Sequence, residues 1–184
     1  MNLLLHYHQS RREIREVQRI AERYGVRVRL LRADLKKFSE IKRLVREAFR
    51  HSPRIHLLVN NASVFYKTPL GRIREKDWDR LLDVNLKAPF FLAEAVGIRM
   101  LREREGKIIN LVDWPAFRPY TQYLPYCAAK AGLVAVTRGL AKALAPHVQV
   151  NAIAPGPILP RRGASAAENR RVIKRTPLKR FGEP

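Results

Sequence analysis

Tyr126 and Lys130 stand four residues apart, with Asp113 thirteen residues before the tyrosine. On a helix that spacing projects a phenol and an ammonium from one face, one turn apart. A free phenol titrates near about 10, and a neighbouring cation favours its phenolate, so the pair can move a proton near neutral pH. A carboxylate can share in that traffic, as an acceptor when ionised and as a donor when burial raises its pKa.

Such a constellation needs a scaffold that holds it. Short apolar runs at 3–7, 26–31, 56–60, 107–112 and 149–153 read as strands, and their poor alternation fits parallel strands buried on both faces. Between them, helical patterns cover 11–24, 39–51, 85–103 and 124–144, with Ser10 and Ser39 as candidate N-caps. The alternation predicts βαβ units in an α/β, doubly wound parallel sheet. Pro155-Gly-Pro-Ile-Leu-Pro160 is the one proline-dense stretch, and beyond it the pattern loosens towards expected disorder.

In such sheets ligands bind at the carboxyl ends of the strands. His8, Gln9 and Ser10 follow the first strand, Asp34 and Leu35 the second, and Asn60-Asn61-Ala62-Ser63 the third. Asp113 ends the fourth, and Pro155 and Gly156 follow the fifth. A random scatter of polar residues would not respect strand ends so consistently. Singly, each has a plainer reading: Asp34 as a helix cap, the Asn pair as a turn, Lys130 as a solvated cation.

With 184 residues, 46% of them apolar, the chain suits one domain with a sizeable core. Its single Cys127 excludes an internal disulfide framework. No apolar run reaches the roughly 18 residues of a membrane span, and no secretory leader pattern opens the chain, so cytoplasm is the expected compartment. The net charge is +21, but the 37 Lys and Arg are spread along helix faces, and no run combines stacking aromatics with a nucleic-acid motif. An Arg-rich solvated surface explains the charge better than nucleic-acid binding, and its field suits an anionic cofactor.

Taken together, Asp34-Leu35, Asn60-Asn61-Ala62-Ser63, Asp83-Val-Asn85, Tyr126-Cys-Ala-Ala-Lys130 and Asn151-Ala-Ile-Ala-Pro155-Gly156 resemble the short-chain dehydrogenase/reductase family, in order and spacing, across essentially the whole chain. The resemblance implies a Rossmann-type fold and an NAD(P)-dependent oxidoreductase acting on a small molecule, with no membrane or nucleic-acid partner and no metal. It also implies a homo-oligomer formed through the helices that hold Asn85 and Tyr126. It implies that Tyr126 exchanges a proton with substrate, while Lys130 lowers the tyrosine's pKa and holds the nicotinamide ribose. Asn85 would fix a helix irregularity and a water in a relay to Lys130. Asn60, Ala62 and Ser63 would line the cofactor, Asp34 and Leu35 would sit by the adenine, and Pro155 and Gly156 would pass the nicotinamide.

Asp113 stands where most of the family carries serine. A carboxylate suits a substrate rich in ring N–H and amino groups, and the pteridine reductases, a branch of the family, carry Asp there. Leu5-His6-Tyr7-His8-Gln9-Ser10 also resembles that branch, although Gln9 replaces its usual basic residue. The corresponding strand ends in no carboxylate to grip a ribose 2′-hydroxyl, and His8, Gln9, Ser10, Arg11 and Arg12 offer donors suited to a 2′-phosphate, which favours NADP(H).

The family begins with a strand and a glycine-rich turn that cradles the pyrophosphate. That strand is central in the family's sheet, between those containing Leu4 and Leu58, whereas this chain opens on the family's second strand and stops before its last. The expectation is a single incomplete domain over residues 1–184 with weak NADP(H) binding. The leading reading is hydride transfer to a carbonyl or ring C=N of a pteridine-like substrate. An inactive fragment of the family is the second, and a basic nucleic-acid-binding module the third.

Overall fold

The computed structural model describes residues 2–160 and 163–183. Five strands form, β1 Asn2–Tyr7, β2 Arg27–Arg32, β3 Leu57–Asn60, β4 Gly106–Leu111 and β5 Val148–Ile153, each within two residues of its sequence expectation. All pair in parallel, in two sheets of order β1-β2 and β3-β4-β5. In the first, Leu4 lies opposite Arg29; in the second, Leu58 lies opposite Ile108 and Ile108 opposite Val150. The strands containing Leu4 and Leu58 are not paired with each other.

The helices are α1 Arg11–Arg23, α2 Phe38–His51, α3 Glu75–Leu82, α4 Ala88–Arg102, α5 Leu124–Ala143 and α6 Ala166–Arg175. Because parallel crossovers within a sheet are right-handed, α1 covers one face of the β1-β2 sheet, and α4 and α5 share one face of the β3-β4-β5 sheet, where α2 packs against α4. Two apolar clusters fill the α2–α4–α5 side. Ile108 and Val150 pack with Ala93, Val96, Met100 and Leu144. Leu31, Ala33 and Leu35 pack with Ile41, Leu44 and Ala88. The opposite face of β3 and β5 leaves Leu57, Val59 and Ile153 exposed.

Several elements depart from the sequence expectation. The helix expected over 85–103 is the last part of a longer run, α3, a π-helical turn Asp83–Lys87, then α4. Its true start carries Arg74 as N-cap with no side-chain hydrogen bond, so it lacks the usual start signal. Ala166–Arg175 form α6 where a disordered tail was expected, and Ser165 and Glu168 close a capping box at its start. Ser39 is not an N-cap, because Lys37 occupies that place for α2, and Ser10 sits at the N-cap of α1 without a side-chain bond.

Candidate active site

Helix α5 starts behind Pro125, whose fixed φ suits a first turn, and brings Tyr126 and Lys130 onto its buried face. Strand β4 delivers Asp113 two residues beyond its end. The Tyr126 hydroxyl donates to Asp113 Oδ2 at 2.7 Å. The other carboxylate oxygen, Oδ1, accepts from the Trp114 backbone N–H at 2.7 Å, which caps the short 3₁₀ turn Trp114–Ala116 and fixes the carboxylate's aim.

Lys130 donates through Nζ to the Leu111 carbonyl at 2.6 Å and lies 5.7 Å from the centre of the Tyr126 ring. Burial pushes the ammonium down to about 8, against the opposing charge of Asp113. The phenol runs opposite to the expectation from the family. Burial, then the hydrogen bond and charge of Asp113, hold the Tyr126 pKa well above the usual phenol range. Burial and Asp113 therefore outweigh the nearby Lys130 in this arrangement. Burial, together with the carboxylate that replaces serine, keeps Tyr126 a protonated donor.

Asn85 does fix a helix irregularity, since it lies within the π-helical turn and is fully buried. Its Oδ1 accepts from Ser63 Oγ at 2.6 Å and Val64 N at 3.2 Å. Its Nδ2 donates to the Val64 and Leu81 carbonyls, each at 2.9 Å. The amide thus staples the loop after β3 to the turn between α3 and α4. Asn60 points inward rather than to a cofactor. It is 6% exposed, and its Nδ2 donates to Asn110 Oδ1 at 2.8 Å and to the Pro89 carbonyl at 3.2 Å. Ala62 and Ser63 remain exposed on the rim.

Asp34 follows β2. Burial alone would raise its carboxyl, but the Lys36 backbone N–H and the charges of Lys36, His8 and Lys37 hold it below the usual carboxylate range. His8 Nε2 lies 3.9 Å and Lys36 Nζ 3.6 Å from its Oδ2. A cavity of about 380 Å³ opens here, lined by His8, Arg32, Asp34, Lys37, Glu40 and Arg43. Leu35 does not line it; its side chain is buried in the core beside Ile41. Gln9 and Ser10 are exposed beyond β1, and Pro155 and Gly156 follow β5 as expected, with Gly156 exposed.

Phe65 was not among the sequence candidates. Its ring stacks on Tyr123 at 4.4 Å between centroids and meets the Tyr126 ring edge-on at 4.8 Å. The loops carrying these rings are joined by the Thr68 N–H, which donates to the Gln122 carbonyl at 2.7 Å. The only sequence signal was an aromatic two residues beyond Ser63, too common to single out. Arg32, in the cavity beside His8, was hidden as one of many arginines.

The chain matches the short chain dehydrogenase family over residues 1–171. It belongs to that family, and with it to the oxidoreductases. This chain is 32% identical to the 3-oxoacyl-(acyl-carrier-protein) reductase FabG of Staphylococcus epidermidis, an alignment covering 99% of this chain and 76% of the relative. The crystal structure of FolM alternative dihydrofolate reductase 1 from Brucella canis, complexed with NADP, superposes with a TM-score of 0.90 at 33% identity. It covers 100% of this chain and 72% of the other. A blue fluorescent protein from a metagenomic library, in complex with NADPH, aligns at 26% identity with a TM-score of 0.86, covering 99% of this chain and 75% of the other. Among the described residues no helix is long and apolar enough to cross a membrane.

Proposed function

We propose that this chain is an NADPH-dependent reductase whose substrate is a planar, pteridine-like heterocycle reduced at a ring C=N or carbonyl. The observation that carries the reading is the 2.7 Å hydrogen bond from Tyr126 to Asp113 beside the Phe65 ring. A phenol kept protonated by burial and by its carboxylate neighbour holds at its oxygen the proton that a reduced ring nitrogen or oxygen needs. An ionised Asp113 accepts hydrogen bonds only, which suits ring N–H and amino groups and not a bare ketone. Phe65 offers an aromatic face to a flat ring. The dihydrofolate reductase FolM among the similar structures supports the same substrate class.

The residues present fit a phosphorylated dinucleotide. Lys130 is a buried donor beside the tyrosine, and the cavity beside His8 sets Arg32, Lys37 and Arg43 against Asp34 and Glu40, which leaves a small cationic excess for a phosphate. The chemistry that NADPH supplies when bound is a hydride. Lys130 would hold its ribose hydroxyls, Ser63 and Gly156 would border it, and Asp34 with His8 would meet its adenosine end. The protein itself holds the proton at the Tyr126 oxygen and orients the substrate through Asp113. The same reading places it in the cytoplasm as a homo-oligomer through α4 and α5, where Ile98 is 44% exposed.

The test follows NADPH oxidation by absorbance with a dihydropteridine and, separately, with a short β-ketoacyl thioester. Pteridine-dependent turnover that disappears in Tyr126→Phe supports the reading. Turnover of the ketoacyl substrate alone overturns the substrate class, and no turnover with either points to an inactive member of the family.

A further inference from the structure

A buried polar chain runs from β3 through β4 to α5 behind the proposed site. Asn60 Nδ2 donates to Asn110 Oδ1 at 2.8 Å, and Asn110 Nδ2 donates to Thr137 Oγ1 at 2.9 Å. The Thr137 hydroxyl in turn donates to the Leu133 carbonyl one turn back at 2.7 Å. Asn110 is 0% exposed and Thr137 6%. Polar groups so deep in a core are costly unless fully bonded, and what they give in return is direction.

The direction matters because of how α5 otherwise rests on the sheet. Its buried face carries Tyr126, Lys130, Leu133, Thr137 and the nearby Leu140, spaced at three or four residues. Leu133 and Leu140 make apolar contacts that tolerate sliding along the strand. Gly132 lies against the Leu86 side chain, where a Cβ would come within 2.9 Å, so the helix is close-packed there but not hydrogen-bonded. Side-chain hydrogen bonds tie α5 to the β4 segment at three places. These are Tyr126 to Asp113, Lys130 to the Leu111 carbonyl and Thr137 to Asn110. The first two are the chemical groups themselves. The third lies two turns behind Lys130, and its geometry is locked at both ends. Thr137 is held by its bond to Leu133, and Asn110 by Asn60, whose amide also grips the Pro89 carbonyl of α4 at 3.2 Å.

We propose that Asn110 and Thr137 are positioning residues that set the axial register of α5 against β4, so that Lys130 meets the Leu111 carbonyl and Tyr126 meets Asp113. Asn60 is the anchor that ties this register to β3 and α4. The proposal concerns the same site as the reductase reading but does not depend on turnover.

It is tested by labelling lysines with ¹³C at Cε and following the Lys130 resonance against pH in the full chain, with Lys130→Met as the assignment control. Thr137→Val removes the hydroxyl at nearly constant volume, and Thr137→Ser restores it. The expected result is that Thr137→Val moves the Lys130 midpoint by half a pH unit or more towards the ordinary lysine value, while Thr137→Ser stays at the wild-type midpoint. Should Thr137→Val not fold, the double variant Asn110→Leu with Thr137→Val removes both partners of the bond and answers the same question. A folded variant with a lower melting temperature but an unmoved Lys130 midpoint overturns the proposal and leaves the chain of amides a purely structural one. Where reductase turnover is present, kcat should fall about ten-fold in Thr137→Val while KM for NADPH stays constant; absence of turnover bears on the reductase reading and leaves the lysine result standing.

Discussion

Two buried groups, one acidic and one basic, are pushed in opposite directions at the centre of this molecule. Tyr126 is driven towards its protonated form by burial and by Asp113, and Lys130 is driven down to about 8 by burial. Below about pH 8 Lys130 is charged in both folded and unfolded chains, and its burial opposes folding. Between about 8 and the ordinary 10.5 the unfolded chain keeps a proton that the folded chain has released, so the contribution of this site to stability rises with pH. A displacement of this size amounts to about 3 kcal/mol. Lys130→Met should therefore lose the rise: the wild-type melting temperature minus that of the variant should grow between pH 8 and 10, read by calorimetry. A constant difference would show that the ammonium is not desolvated as the structure places it. At the same scale, Tyr126→Phe should lower kcat by about a hundred- to ten-thousand-fold without unfolding the protein. Asp113→Ala should let the phenol titrate at lower pH than in the wild type, as followed by ultraviolet difference absorbance.

Among the elements, the π-helical turn Asp83–Lys87 is held by one amide. Asn85→Ala would strand the Val64 N–H and the Val64 and Leu81 carbonyls in a buried setting, at a cost of about 2–4 kcal/mol. Chemical denaturation should show that loss, and hydrogen exchange should place its largest effect in residues 63–66 and α3. An Asn85→Ala variant as stable as wild type would mean that the loop is held by its own packing. This turn was legible only through the family resemblance, because Asp83-Val-Asn85 matches the family's motif, whereas the hydrophobic pattern alone gives a plain helix from 85 onwards. The five strands were legible from short clusters of Leu, Val and Ile between polar stretches, although many of their residues stay half-buried or exposed rather than buried on both faces. The start of α3 was not, because Arg74 is no capping residue and Trp78 and Leu81 give too short a stripe. Helix α6 was readable in principle from Ser165 and Glu168, a three-residue spacing that a loosening hydrophobic pattern obscured. The protonated phenol was hidden as well, since the balance between Lys130 and Asp113 depends on burial, which no spacing reports.

At the scale of the whole molecule, charge and exposed apolar surface oppose each other. Strand β3 pairs only with β4 among the described residues, and its outward side chains Leu57 and Val59 are 44% and 47% exposed. An unpaired edge with apolar side chains is a template for pairing with another molecule. A net charge of +21 keeps copies apart by repulsion, but only over about one Debye length, roughly 10 Å at 0.1 M salt. Raising salt should therefore promote association, which is the reverse of its effect on a protein held together by surface ion pairs. Light scattering on heating should begin at lower temperature in about 0.5 M salt than in about 0.02 M salt, where repulsion reaches several times further. Val59→Lys puts a charge on the open face of β3 at a side chain already 47% exposed, so it should delay scattering at high salt with little change in melting temperature. If scattering is insensitive both to salt and to Val59→Lys, the edge of β3 is covered in solution and the charge has another use.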